Sequence, residues 1–376
     1  MNTVKILHCA DIHIGAAESF LGLSADKRRF ETLVTFEKII DLALEKNVAI
    51  IALAGDLFDS NRIEPRFVDA VFAKIAAAAP IKVVYAAGNH DPLDSQSPFL
   101  SRDLPDNLYV LGVKDDCIPF DDLGVKVYGR SFESSFLKGE EKFSLGADEK
   151  SINIMVQHGE LKSDLNSDYN ALTPKFVKNC GMDYIALGHV HKRSEIGKID
   201  NTYFAYCGCP EGQGFDELDE KGVYIGEVGK GICHLEFVAV SKRRHIHQKI
   251  DISACKDSGE VALKILSCLE AAHGPDFKDH LYKIELTGEI DEEVEIDTAE
   301  ILSRISPELY YVKIKDSTDI RFDLEALATE TSLKGVFVKK LLEKQQNATP
   351  ELLPLYKEAL KIGIKAFSAE VKYNED

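Results

Sequence analysis

Residues able to do chemistry recur where apolar runs of this chain give way to turns. Asp11 and His13 lie in "CADIHIG", Asp56 and Asp59 in "AGDLFD", Asn89 and His90 in "AGNHD", His158 in "QHGE", and His189 and His191 in "LGHVH". A single Gly-Asp or Asn-His-Asp is ordinary turn chemistry, and a lone histidine is more often a hydrogen-bonded structural group than a ligand. Five such elements in this order, each closing a strand-like run, call for a different explanation. Asp11, His13, Asp56, Asn89, His158, His189 and His191 offer too many donors for one metal ion but suit two if a carboxylate bridges them, and Asp56 is the expected bridge. Carboxylate, imidazole and amide donors without thiolate favour Mn²⁺, Fe²⁺ or Zn²⁺. Two such ions roughly 4 Å apart activate a shared water, clamp phosphate oxygens and offset charge in an in-line displacement, which is the chemistry of phosphoester hydrolysis. His90 is left outside the ligand set, suited to stabilise the transition state or protonate the leaving alkoxide. Asp59 is the expected partner that fixes the His90 tautomer; its plainer reading is a cap or turn residue. The other histidines, His8, His234, His245, His247, His273 and His280, are assigned structural or surface roles.

Elements must bring these segments together. "VKILHCA", "VAIIALA" and "IKVVYAA" read as strands and "KRRFETLVTFEKIIDLALEK" and "PRFVDAVFAKIAAAA" as helices between them, an α/β layer pattern. "VKVYGRSF", "INIMVQ", "YIALG" and "YFAYCG" continue the strands, and "GVYIGEVGKGICHLEFVAV" reads as a hairpin turning at Gly229-Lys230-Gly231. In open α/β sheets, sites form beyond the carboxyl ends of the strands, so segments distant in sequence can converge there. A first domain over residues 1–240 is followed by a small α/β domain over 241–317 and a helical tail over 318–376. In the tail, Thr349-Pro350 reads as a helix start. Tyr356, Leu360, Ile364 and Phe367 form an apolar stripe there, for packing on its own domain or docking to a partner.

Composition bounds the class. At 376 residues, with 45% hydrophobic and 29% charged side chains, the chain is a soluble globular protein of two or three domains. The N-terminus has no apolar signal region and no uncharged span is long enough for a membrane, so a cytoplasmic protein is expected. Eight cysteines without CxxC spacing read as free thiols. The net charge of -18 sits awkwardly with nucleic-acid binding, which normally shows a basic footprint. Local basic clusters exist at Lys27-Arg28-Arg29, Lys192-Arg193 and Lys242-Arg243-Arg244, although such clusters are more often solvated faces.

The order "DIH", "GD", "GNHD", "QHG", "GHVH" resembles the calcineurin-like metallophosphoesterases. Within them the chain is similar to the nuclease subunit of the SbcCD DNA-repair complex, in "CADIHIG", "GDLFD", "GHVHKR" and "CGCPEGQGFDE". Protein phosphatases of the superfamily carry GDxVDRG and GNHE instead. The resemblance implies a metallophosphoesterase sandwich of two mixed sheets flanked by helices, with a small α/β capping domain and a helical C-terminal tail. It also implies the seven metal ligands named above, a catalytic His90 and Mn²⁺ dependence. Hydrolysis at DNA ends by exonuclease or endonuclease action, a homodimer and an SbcC-type, SMC-like ATPase partner follow from the same likeness. Asp59 stands where some members of the nuclease branch have histidine. Lys192, Arg193, Arg243 and Arg244 are the expected DNA contacts. A small-molecule phosphodiesterase or nucleotide phosphatase is the alternative, and would not need the residues past Val240. A non-catalytic scaffold would show broken ligands, and none is broken here.

Overall fold

Short β-branched runs form strands, and the amphipathic stretches between them form helices. The computed structural model describes residues 2–367 except Ala17, Glu141, Lys142, Asp219, Glu292 and Glu293. In chain order the first elements are β1 (Thr3–Cys9), α1 (Ala25–Glu45), β2 (Ile50–Leu53), α2 (Pro65–Ala77), β3 (Lys82–Tyr85), α3 (Pro98–Ser101) and β4 (Leu108–Val110). They are followed by β5 (Asp116–Phe120), β6 (Val125–Arg130), β7 (Ile152–His158), α4 (Pro174–Asn179), β8 (Tyr184–Gly188), β9 (Gly197–Ile199), β10 (Thr202–Tyr206), β11 (Gly222–Gly229) and β12 (Ile232–Ala239). One sheet has the order β12-β11-β1-β2-β3-β4 and the other β5-β6-β7-β8-β10-β9. Both are mixed. Strands β1 to β4 run parallel, as do β6, β7, β8 and β10, while β11, β12, β5 and β9 pair antiparallel. Gly229 pairs with Ile232, so Lys230 and Gly231 make the two-residue turn of the expected hairpin.

Side-chain alternation along these strands builds three apolar layers. Ile6, Ile50, Ala52 and Val84 from one sheet meet Val127, Ile154, Val156 and Ala186 from the other. On the far face of the first sheet, Leu7, Ile51, Leu53 and Val83 pack against Phe36, Ile39 and Ile40 of α1 and Phe67, Val71 and Ile75 of α2. Met155, Ile185 and Leu187 pack on Phe176 and Val177 of α4 beyond the second sheet. The observed fold is therefore the expected α/β sandwich of two mixed sheets flanked by helices.

The chain divides into two compact units, the first running to His247 and also taking in Pro275–Lys283 and Glu308–Val312. The second comprises Gln248–Gly274, Ile284–Pro307 and the chain from Lys313 onward. The later elements are β13 (His245–Asp251), α5 (Ser258–His273), β14 (Leu281–Thr287), β15 (Glu289–Asp291), α6 (Thr298–Ile305), β16 (Tyr311–Asp316), β17 (Asp319–Arg321), α7 (Leu324–Thr329), α8 (Leu333–Gln346) and α9 (Leu353–Phe367). Strands β13, β14 and β16 form one sheet, and β15 pairs with β17. Leu360 and Ile364 of the apolar stripe are buried with Leu327 and Val338, within the same unit. Thr349-Pro350 does not open the last helix. The Thr349 carbonyl accepts from the amides of Leu352 and Leu353 in a turn, and α9 begins at Leu353 with Pro354 in its first turn, where no amide hydrogen is needed. Residues 368–376 of the expected tail lie outside the described residues. Among the described residues no helix is long and apolar enough to cross a membrane.

Candidate metal centre and active site

The parallel strands β1, β2 and β3 of one sheet and β7 and β8 of the other end beside one another, and the segments that follow are stitched together. Asp11 N donates to the Gly55 carbonyl (3.1 Å), His13 N to that of Asp56 (3.0 Å) and Ile14 N to that of Leu57 (2.9 Å). Asp11, His13, Asp56 and His189 all hold positive φ (53°, 49°, 49° and 91°), a conformation costly for non-glycine residues and concentrated at functional sites. Two glycines permit the close approach. A Cβ on Gly55, itself at φ 92°, would sit 2.2 Å from His158 Nδ1, and one on Gly88 would sit 2.1 Å from Asp56 Oδ1.

All seven candidate ligands meet at this edge. Asp11, Asp56 and His158 offer donor atoms within 4.8 Å of one another, as do Asp11, His13 and His191, and His13, Asp56 and His90. Asp11, His13 and Asp56 each belong to two of these groups, so the groups share residues and form one cluster. Asn89 Oδ1 lies 2.9 Å from His158 Nε2 and 3.2 Å from His189 Nδ1. Asp11 is held by the amide of His189, which donates to both carboxylate oxygens (2.9 and 3.1 Å).

The protonation pattern fits a cation. His158 Nδ1 donates to the Ala54 carbonyl (2.9 Å), so a neutral ring turns its Nε2 lone pair toward two more acceptors, Asn89 Oδ1 and, at 3.3 Å, Asp56 Oδ2. An added proton or a metal ion relieves that arrangement. Burial opposes charging of His158, yet the Asp56 and Asp11 carboxylates raise it to about 9. Asp56 is driven the other way: burial would raise it, and His158 and His13 hold it well below the usual carboxylate range. Buried carboxylates interleaved with imidazoles and one amide oxygen form an oxygen-and-nitrogen donor set without thiolate, the kind that takes Mn²⁺, Fe²⁺ or Zn²⁺. The eight cysteines are all free, as expected.

His90 stands at the rim, with its side chain 46% exposed. Its amide donates to Asp56 Oδ1 (2.9 Å), and its ring packs edge-on against that of His13. His90 Nδ1 lies 3.2 Å from the Asp59 carbonyl and 3.9 Å from the Asp59 carboxylate, which is closer to His13 Nδ1 at 3.3 Å. Asp59 thus adjoins both imidazoles, and its backbone oxygen rather than its carboxylate takes the shorter contact with His90.

Of the four expected DNA contacts, Lys192 and Arg193 are exposed, with the Arg193 guanidinium 4.1 Å over the Phe237 ring. Arg244 is half-buried. Arg243 departs from the expectation of a surface cation. It is 3% exposed, donates to both oxygens of Glu31 and to the Asp279 carbonyl, and stacks on Tyr310. A charge so buried persists because it is paired, and its donors are already occupied.

Three further acids adjoin the candidate ligands although their motifs gave them no role. Asp91, fully buried, accepts from the amides of Phe58 (2.9 Å) and Gly88 (3.1 Å), tying two ligand loops together; burial and the Asp56 charge push it up to about 6. Glu160 lies 3.5 Å from His189 Nε2. Glu217 lies 2.6 Å from His191 Nδ1. Asp91 was visible as the last letter of "GNHD", and Glu217 as the last of "CGCPEGQGFDE".

Residues 4–193 match the calcineurin-like phosphoesterase family, and the chain belongs to it. Membership makes it a phosphoesterase of a family that uses divalent metals. An uncharacterised metallophosphoesterase of Bacillus subtilis, YhaO, is 26% identical over 63% of this chain and 60% of its own length. The DNA double-strand break repair protein Mre11 of Methanopyrus kandleri is 25% identical over 68% of this chain and 60% of its own length. The protein of the same name from Sulfurisphaera tokodaii is 25% identical over 91% of this chain and 89% of its own length. The chain spans about 60% of the length of the first two of these relatives.

Proposed function

We propose that this chain is a DNA nuclease of the SbcD type, hydrolysing phosphodiester bonds at DNA ends in repair. The observation that carries the reading is an exposed imidazole, His90, on the rim of a cluster of seven candidate metal ligands. The relatives named as DNA double-strand break repair proteins support the choice of substrate.

Asp11, His13 and His191 would hold one divalent ion, Asn89, His158 and His189 the other, with Asp56 shared. When bound, two such ions supply Lewis-acid polarisation of a phosphoryl group and a nucleophile at neutral pH. The protein's own part is positioning and proton transfer. The amide of His90 fixes Asp56 Oδ1, while the Asp59 carbonyl accepts a hydrogen bond from Nδ1–H of the His90 ring. A second proton on Nε2 then makes the ring a cationic donor for the leaving oxygen or for charge on the phosphoryl group. Mn²⁺ is the proposed metal. A homodimer through α1 and α2 and an SbcC-type, SMC-like ATPase bound by the helices after residue 318 complete the proposal. Lys192, Arg193 and Arg244 are the proposed cationic contacts to DNA, and the net charge of -18 makes weak, steeply salt-dependent unassisted binding the expectation.

End-labelled linear duplex DNA incubated with Mn²⁺ and the native chain or His90→Ala tests the reading, with bis-p-nitrophenyl phosphate as a small diester control. Metal-dependent DNA cleavage that the variant lacks supports it. Cleavage of the small diester alone counts against DNA as substrate of the chain by itself and leaves either a missing ATPase partner or the small-molecule phosphodiesterase.

A further inference from the structure

The stretch "CGCPEGQGFDE", residues 207–217, folds around His191 from two sides. The His191 carbonyl accepts from Cys209 N (3.3 Å) and from Nζ of the buried Lys221 (3.0 Å). The ring is held through Nδ1, 2.6 Å from Glu217 Oε1. The other carboxylate oxygen, Oε2, accepts from Gln213 N (2.9 Å) and lies 3.4 Å from Cys209 Sγ. Glu217 is itself only 15% exposed at its side chain, so both ends of the carboxylate are fixed.

His191, Cys209 and Glu217 could in principle bind an ion among themselves. The geometry argues against it. Glu217 spends one oxygen on the imidazole and the other on a backbone amide, and the Cys209 thiol faces that second oxygen (3.4 Å) and the His191 carbonyl (3.6 Å). What remains is orientation. A carboxylate on Nδ1 places that nitrogen's proton toward Glu217 and aims Nε2 at His13 Nε2, 3.1 Å away, at the candidate metal centre.

We propose that Glu217 is a positioning residue for His191, holding its ring so that Nε2 serves as a ligand; this rests on the two-ion reading of the site given above. Carboxylates that hold a ligating imidazole in this way raise its basicity, and their loss costs about 10- to 100-fold in metal affinity.

Calorimetric titration of Mn²⁺ into the metal-free full chain is the test, with Glu217→Ala, Glu217→Gln and the native protein compared. Electron paramagnetic resonance after two equivalents of Mn²⁺ gives a readout independent of turnover. The expected result is one Mn²⁺ site weakened about 10- to 100-fold in E217A, with the spectrum of a spin-coupled pair replaced by that of isolated ions. Thermal melting of the metal-free proteins shows whether the variant folds. If E217A does not, E217Q takes its place, expected to weaken the same site about tenfold because its amide cannot accept at both ends. A folded variant that binds two Mn²⁺ within about twofold of native and keeps the coupled spectrum overturns the proposal. A native chain that binds no Mn²⁺ overturns both this proposal and the two-ion reading. The expected loss in a native chain that cuts no DNA leaves Glu217's part standing while DNA falls as substrate.

Discussion

His13 Nε2 and His191 Nε2 face each other at 3.1 Å, while the opposite nitrogen of each ring lies against a carboxylate, Asp59 for His13 at 3.3 Å and Glu217 for His191 at 2.6 Å. If each ring keeps its proton on the carboxylate side, two lone pairs are left opposed. A divalent ion that accepts from both nitrogens would turn the facing pair into two ligands of one site. Binding to the folded state alone stabilises it by about 2.7 kcal/mol per site at a hundredfold excess over Kd. Saturating Mn²⁺ added to EDTA-treated protein should therefore raise Tm by about 5 °C or more, and EDTA should reverse it. A Tm that does not respond to Mn²⁺ sinks the metal-centre reading.

His90 gives a contrasting outcome. Its contact with Asp56 is made by the backbone amide, which an alanine retains, and its ring is 46% exposed. His90→Ala is expected to keep Mn²⁺ affinity while lowering turnover of a phosphodiester by about 10²- to 10⁴-fold. Calorimetry and initial rates on the same preparation check this. Loss of metal affinity in step with turnover would make His90 a ligand instead of an acid.

The Arg28 guanidinium, 1% exposed, binds Glu18 at 2.7 Å, Glu211 at 2.9 Å, Glu31 at 3.2 Å and the Gly212 carbonyl at 2.9 Å. Removing it leaves three buried carboxylates without their shared cation. Arg28→Ala is expected to lower unfolding free energy by about 3–5 kcal/mol in a urea titration. Because Gly212 lies in the segment that carries Glu217, Mn²⁺ affinity should fall as well. A loss under about 1 kcal/mol would mean that water reaches the network.

The strand-end motifs were legible because each signal is local. A β-branched run followed by Gly-Asp or Gly-Asn-His fixes where a strand stops and which side chain follows it, and parallel packing of such strands brings those ends to one edge. The hairpin at Lys230-Gly231 was readable for the same reason. Arg243 was not, because the partners that bury it, Glu31 and Tyr310, are remote in sequence, and "KRR" looks the same whether solvated or paired. The Asp59 carboxylate likewise divides itself between His13 and His90 through a loop geometry that spacing does not specify. The first turn of α9 was misplaced because Pro350 and Pro354 are both acceptable near a helix start, and the Thr349 turn chose between them.

His8 supplies a pH test away from the ligands. It is fully buried between the sheets, with Nδ1 accepting from the Tyr184 hydroxyl (2.8 Å) and Nε2 donating to the Leu187 carbonyl (3.1 Å). Burial pushes its pKa down from 6.5 to about 3, so the folded ring stays neutral where the unfolded one takes a proton. Between these two values the unfolded state binds more protons. Stability from this group is complete above pH 6.5 and is lost progressively as pH falls toward 3. From pH 7 to pH 5 the loss amounts to about 2 kcal/mol. Groups common to the native protein and His8→Gln cancel in the difference, so the native chain should lose about 2 kcal/mol more than the variant over that interval in urea titrations. Equal losses would show that the ring is charged in the folded state or reached by water.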